Sequence, residues 1–206
     1  MIVRRLVCQH FFNNRLNLIF MRQDLELLIP YNKEIFLFFN QKRFALFDRL
    51  YKVLIYLGKG QTTFLYAPLL LYSASSEASL PETVIAVHLL VTLTLVALIC
   101  NILKSLFRQH RPSNILKETV VIEGVYHRSF PSSDTAFIVC VTTLFWLHAH
   151  ILFIPLFLLF TLIVSYGRMY LGSHFPFDIL VGGVIGWLCA QYSLEVSFYF
   201  HFWLGL

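Results

Sequence analysis

No charged residue occurs between Thr135 and Gly167. A single α-helix of that length would measure roughly 50 Å, whereas the hydrocarbon core of a bilayer is about 30 Å thick. The stretch must therefore fold back on itself. Its weakest point is WLHAHILFIP, where His148 and His150 suit the membrane interface and Pro155 lies just beyond a turn. The stretch predicts a tight helical hairpin made of two membrane spans.

Composition places the whole chain in the membrane class. Of its 206 residues, 58% are apolar and only 13% are charged, and its mean hydropathy is +0.70. A soluble domain carries roughly 25% charged residues, so a soluble enzyme, a disulfide scaffold and a disordered tail are excluded. The net charge of +5 favours lipid head groups or phosphates as partners, and we expect no nucleic acid. No CxxC pair is present, and we expect neither a metal nor a cofactor.

Three further uncharged stretches complete the predicted spans. Thr83–Leu103 is long enough to cross the bilayer, Gly60–Ser76 is a short span interrupted by Pro68, and the last span runs from Ile179 to about Leu194. The last span also has a small-residue face for close helix packing, formed by Gly182, Gly183 and Gly186. The expected fold is all-α: a polytopic transmembrane bundle of five spans.

Residues 1–59 mix charged and aromatic residues and differ from the core at 60–206. Within IFLFFNQKRFALFDRLYKVLIYL, apolar residues recur at helical spacings with Lys42, Arg43 and Asp48 between them. This pattern is typical of an amphipathic helix, which either lies in the membrane interface or packs on the rest of the domain. We expect a partly interfacial N-terminal segment followed by a transmembrane core.

The first polar cluster is KSLFRQHRP. Lys104, Arg108 and Arg111 stand at i, i+4 and i+7, which stacks three cations on one helix face, and Pro112 stops the helix. One face with three cations favours an anion. The alternative is a basic helix end that extends toward lipid phosphates.

The second cluster is FPSSDTAF, in which a polar turn precedes an apolar span. Ser132 or Ser133 could cap that helix, whose first N–H groups would bind a phosphate. The alternative is a cap with no ligand. Asp134 is placed either to interact with the helix dipole or to move a proton.

The third cluster is GRMYLGSHFPFDILVGG. Arg168 ends one span, His174 lies in the connection, and Asp178 follows His174 by four residues. That spacing allows the carboxylate to hold one imidazole nitrogen and leaves the other available as a nucleophile. The alternative is a histidine and an aspartate that satisfy each other at a helix end.

Taken in this order, the three clusters resemble the signature of the type 2 phosphatidic acid phosphatase superfamily over residues 104–178. The matching positions are Lys104, Arg111 and Pro112, then Pro131 and Ser132, then Arg168, His174 and Asp178. The resemblance implies metal-independent phosphoryl transfer. It implies that His174 attacks phosphorus to form a phosphohistidine and that Asp178 orients it. The implied phosphate-binding residues are Lys104, Arg111, Ser132, Ser133 and Arg168.

Two positions depart from the family pattern. Where the family has P-S-G-H, this sequence has Ser133 and Asp134 at the last two positions, and Gly167 replaces the serine before Arg168. Asp134 could act as the missing acid if its environment raised its proton affinity, or His127 could take that role. A third option is a diphosphate substrate, whose leaving phosphate needs little protonation. We therefore expect a polyprenyl diphosphate, such as undecaprenyl diphosphate, rather than phosphatidic acid.

Two other functions remain compatible with these residues. A lipid phosphotransferase would pass the phosphoryl group to a second lipid such as lipid A, and a catalytically weak protein would only bind lipid phosphates. In each case we expect an integral, multi-pass protein of a bacterial inner or plasma membrane.

Overall fold

The computed structural model describes residues 32–59, 62, 65–75, 82–122 and 128–204. These ranges contain helices and no strand, which confirms the all-α prediction. The helices are α1 (Asn32–Gln41), α2 (Ala45–Leu57), α3 (Ala67–Ser75), α4 (Glu82–Phe107), α5 (Pro112–Ile115), α6 (Ser133–His148), α7 (Phe153–Tyr170) and α8 (Pro176–Leu204).

The core of the bundle lies between α4, α6 and α8, and α7 packs on α6. Helix α6 is central, because most of its residues are buried. Around this core the helices expose large apolar side chains, among them Trp146, Leu162 and Trp187. So large an apolar surface would be unstable in water and fits a lipid environment.

Three helical stretches are long and apolar enough to cross a membrane: Thr83–Ile115, Phe153–Tyr170 and Pro176–Tyr199. Helix α6 is also apolar but is shorter than these three stretches. The predicted hairpin is confirmed, because α6 ends at His148 and α7 begins at Phe153.

The predicted span over 60–76 is only partly described. Within the described residues it contains only α3, a helix of 9 residues. At 1.5 Å per residue this helix rises about 14 Å, less than half of the hydrocarbon core. Pro68 lies in its first turn, where proline is tolerated because the first N–H groups of a helix have no partner. Pro68 therefore lies at the start of α3 and does not interrupt it.

His148, which was predicted to suit the membrane interface, packs between helices at the end of α6. It is buried, and its Nε2 is 2.7 Å from Nδ1 of His88 on α4. His88 Nε2 lies 2.9 Å from the carbonyl oxygen of Ala190 on α8. Because that carbonyl only accepts, His88 carries its proton on Nε2 and accepts at Nδ1 from His148. The two imidazoles thus join α4, α6 and α8 through hydrogen bonds.

The two N-terminal helices behave differently from each other. On α1, Phe36 and Asn40 are fully buried, and Phe36 packs against Phe175 in the loop before α8. On α2, only Tyr51 is described as buried, while residues such as Leu46 and Val53 expose about two thirds of their surface. Helix α1 thus matches the packed alternative, and the apolar surface of α2 fits the interfacial one. Residues 1–31 of the predicted segment lie outside the described residues, and its division from the core stays a prediction.

Asn40 connects α1 to the polar end of the bundle. Its amide nitrogen donates to the carbonyl oxygens of Val120, Met169 and Tyr170, and its oxygen accepts from the Val120 N–H at 2.8 Å. Met169 and Tyr170 are the last residues of α7, where carbonyl groups lack helical partners. Asn40 therefore caps α7 directly after Arg168.

Asn40→Ala is expected to destabilise the protein by about 2–4 kcal/mol, because several buried backbone groups lose their partner. Unfolding by sodium dodecyl sulfate in mixed micelles measures this change. Asn114→Ala, at an exposed asparagine of α5, is the control and should unfold like the wild type. Equal unfolding of both variants would contradict the capping role of Asn40.

Candidate active site

The three polar clusters of the sequence meet at one end of the helix bundle. The N–H of Ser132 donates to the carbonyl oxygen of Asp178 at 3.0 Å. The N–H of Ser129 donates to the carbonyl oxygen of Gln109 at 2.9 Å, and that of His174 donates to Arg168 at 3.2 Å. The Ser132 bond joins the second cluster to the third, the Ser129 bond joins the residue before the second cluster to the first, and the His174 bond lies within the third. They place the predicted site residues within one compact region.

Lys104 lies in the last turn of α4 and reaches the second cluster. Its Nζ donates to the Ser133 hydroxyl at 2.7 Å. The prediction that Lys104, Arg108 and Arg111 share one helix face is wrong, because α4 ends at Phe107. Arg108 has a positive φ of 50°, so the chain turns sharply there and leaves its side chain exposed.

Arg111 enters the site from the loop after α4. Its side chain is buried, and Nη1 donates to the Ser173 carbonyl oxygen at 3.0 Å. The same nitrogen lies 3.4 Å from Nε2 of His174. A guanidinium has only donors, so this contact requires Nε2 to present its lone pair to Arg111. The proton of neutral His174 is then on Nδ1.

His174 is buried in the loop between α7 and α8. Burial holds the pKa of its imidazole well below the usual value, and Arg111, Lys104 and Arg168 lower that pKa further. Both causes favour the neutral ring, the form that has a nucleophilic lone pair. His174 thus combines a neutral ring with a neighbouring set of cations.

Asp178 is fully buried on the first turn of α8. Its Oδ2 lies 3.6 Å from Nδ1 of His174, which is beyond ordinary hydrogen-bond distance. That oxygen instead accepts from the Phe175 N–H at 3.0 Å and from the Ser129 hydroxyl. The four-residue spacing therefore brings the two side chains together, while the described hydrogen bonds of Asp178 are made to other groups.

Asp134 and Arg168 form an ion pair. Asp134 Oδ2 lies 2.9 Å from Nη2 of Arg168, and the arginine side chain is only 3% exposed. The pair directs Asp134 toward a residue that is itself a predicted phosphate ligand.

Ser132 acts as the N-cap of α6. Its hydroxyl oxygen accepts from the Thr135 N–H at 3.4 Å and lies 2.9 Å from the Thr135 hydroxyl. It is fully buried, so its geometry matches the capping alternative. Its role as a phosphate ligand stays a prediction, and Ser133 is the serine that contacts Lys104.

Ser129 is a site residue that the sequence interpretation missed. The one available signal was its position directly before Phe130 and Pro131 in the second cluster. Its partner Asp178 lies far along the chain, so the contact depends on the folded bundle. His127, the alternative acid, lies outside the described residues.

A polytopic helical bundle with a large exposed apolar surface, and with a buried histidine beside arginine and lysine side chains at one end, defines a class of membrane protein. The PAP2 superfamily model matches residues 85–202. The chain belongs to the PAP2 superfamily, which confirms the resemblance found in the sequence. No protein of curated function is similar enough to be matched to this chain.

Two solved structures are similar to this fold. LpxE from Aquifex aeolicus is 28% identical, with a TM-score of 0.72 over 81% of this chain and 96% of LpxE. A transmembrane PAP2 type phosphatidylglycerolphosphate phosphatase from Bacillus subtilis is 20% identical, with a TM-score of 0.62 over 87% of this chain and 93% of its own. At that identity the second likeness shows the fold alone. Family and fold together support an integral membrane phosphatase.

Proposed function

We propose that this protein hydrolyses a lipid diphosphate, with a polyprenyl diphosphate as the favoured substrate, through a phosphohistidine on His174. The observation that carries the proposal is the position of His174 Nε2, 3.4 Å from the Arg111 guanidinium. A phosphate held by that guanidinium would lie next to the lone pair that has to attack it. No metal takes part in the proposed reaction.

The first chemical step transfers the terminal phosphoryl group to the histidine. The Nε2 lone pair forms a bond to phosphorus, the bridging P–O bond breaks, and the lipid leaves as its monophosphate. Lys104, Arg111 and Arg168 are the cations that stabilise the equatorial oxygens. The ring gains positive charge at this step, and the carboxylate of Asp178 is close enough to stabilise it.

The second step regenerates the enzyme. Water attacks phosphorus, the N–P bond breaks, its electron pair returns to Nε2, and inorganic phosphate leaves with the proton balance made up by solvent. If a second lipid attacked in place of water, the protein would be a phosphotransferase. The two reactions share every residue of the site, so only the acceptor distinguishes them.

The ion pair between Asp134 and Arg168 supports a diphosphate substrate. An alkoxide leaving group needs an acid, and acid catalysis contributes typically 10²–10⁴-fold. Oδ2 of Asp134 is engaged by Arg168, so we infer no acid at this position and favour a substrate with a better leaving group. A lipid monophosphate released from a diphosphate is such a leaving group, because it leaves without full protonation.

The leaving group can be tested with two substrates. Purified protein in detergent with a chelator is expected to release phosphate from undecaprenyl diphosphate at least about tenfold faster than from phosphatidic acid. Asp134→Asn should change the diphosphate rate by less than about tenfold, because Asp134 donates no proton to this leaving group. The measurement is the initial rate of phosphate release.

Other outcomes lead to other functions. Equal or faster release from phosphatidic acid would refute the diphosphate preference. A fall of a hundredfold or more in Asp134→Asn would show that Asp134 is the acid. Release that depends on a second lipid would identify a transferase, and lipid binding without any release would identify a binding protein.

A further inference from the structure

We propose that Ser129 is a positioning residue that keeps the His174–Asp178 pair in its reactive protonation state by hydrogen bonding to Asp178. This inference rests on the proposed function, because it concerns the same nucleophile. Ser129 is fully buried, and its hydroxyl donates to Oδ2 of Asp178. Its own N–H is held by the Gln109 carbonyl oxygen at 2.9 Å. The backbone of Ser129 is therefore held by Gln109 of the first cluster, and its hydroxyl is directed at Asp178 of the third.

Oδ2 of Asp178 is the atom on which the neighbouring donors converge. It accepts from the Ser129 hydroxyl and, at 3.0 Å, from the Phe175 N–H. A carboxylate oxygen offers about two lone-pair positions, and these two donors fill them. His174 Nδ1 lies 3.6 Å from the same oxygen. Ser129 and Phe175 thus favour the charged carboxylate near His174 without a short bond to the ring.

The remaining charges around the pair come from four other parts of the fold. The cations are Lys104 on α4, Arg111 in the loop after α4 and Arg168 on α7, and each of them disfavours protonation of His174. Asp134 on α6 is paired with Arg168. Removing the Ser129 hydroxyl leaves all these groups in place, so the variant isolates one donor to Asp178.

The reactive state of the pair has an ionised Asp178 and a neutral His174. Uptake of one proton by either residue ends reactivity, because the lone pair is lost or the carboxylate no longer stabilises the phosphorylated ring. A donor to the carboxylate stabilises the charged state. Its loss must raise the proton affinity of the pair, whichever residue takes the proton. Ser129 therefore extends activity to lower pH.

The test is the pH dependence of kcat/KM for undecaprenyl diphosphate in the full-length protein. The acid limb of Ser129→Ala is expected to move to higher pH by about 1 unit, the size expected for a hydrogen bond to a charged group. Ser129→Thr retains the hydroxyl and should restore the wild-type limb. Ser173→Ala is the matched control: Ser173 is equally buried and adjacent to His174, but its hydroxyl makes no hydrogen bond within the described residues.

A structural role alone would give a different result. Ser129→Ala would then lose activity equally at every pH with its acid limb unmoved, and the proposal would be overturned. A shift of the same size in Ser173→Ala would overturn it as well. If Ser129→Ala folds poorly, Ser129→Cys provides a weaker donor and should move the limb in the same direction by a smaller amount.

A second readout separates this inference from the proposed function. The ¹⁵N shifts of the His174 ring and the ¹³C shift of the Asp178 carboxyl in labelled protein report the protonation of the pair without turnover. A titration midpoint of either residue that rises in Ser129→Ala would support the role of Ser129 even if wild-type protein released no phosphate. Unchanged midpoints of both residues in a variant that folds would reject that role even if the phosphatase activity were established.

Discussion

Phosphate release by His174→Asn is expected to fall by roughly 10⁴-fold or more, the scale seen when a nucleophile is removed from a site that acts as a unit. Asparagine keeps a polar side chain in the buried loop but has no nitrogen lone pair to attack phosphorus. The cations that would bind phosphate remain, so lipid binding should persist. Initial rates and binding of the same diphosphate to detergent-solubilised protein separate the two effects.

The covalent intermediate gives a direct check on the same variant. Wild-type protein incubated with a lipid diphosphate labelled in its terminal phosphate should acquire a label that acid removes and base does not, as expected for a phosphohistidine. His110→Asn is the matched control, because His110 lies exposed in the same loop as Arg111. Label and activity retained in His174→Asn, or lost in His110→Asn, would reject His174 as the nucleophile.

The fold was predictable wherever hydrophobicity alone decides structure. The hairpin of α6 and α7 follows from an uncharged stretch too long for one span, and its turn lies where His148 and Pro155 indicated. Helix lengths were less predictable. Pro68 proved to lie in the first turn of a short helix, because its effect depends on where the helix starts, and hydropathy does not determine that position.

The sequence predicted which residues meet at one end of the bundle, but it did not predict the contacts that they make. Spacing brought His174 close to Asp178, yet the described hydrogen bonds of that carboxylate go to Ser129 and Phe175. Partners distant in sequence appear only after the helices pack. Arg108 shows the same difficulty within one short segment. A continued helix would have placed Arg108 on the same face as Lys104, but Arg108 itself has a positive φ, and the chain turns there. Periodicity applies only as far as the helix continues.

The close approach of α6 and α8 at Gly186 explains a second large effect, which is expected for Gly186→Ala. A Cβ at Gly186 would collide with the Ala136 carbonyl oxygen, and it would also lie 3.0 Å from the Cys140 nitrogen. Both are backbone atoms of α6, so the two helices have to separate. Gly182, one turn earlier, meets the Ser132 carbonyl in the same way. The predicted small-residue face is therefore confirmed at Gly182 and Gly186.

Gly186→Ala is expected to destabilise the protein by about 3 kcal/mol, because overpacking against backbone leaves no side chain able to yield. Gly183→Ala is the matched control on the same helix, since its new Cβ would lie 3.8 Å from the nearest atom, Cγ2 of Val139. Unfolding in mixed micelles compares the two variants, and equal stability would contradict the close packing. Activity should fall as well, because α6 carries Ser133 and α8 carries Asp178, and separating the helices would move the proposed phosphate site away from the partner of the proposed nucleophile.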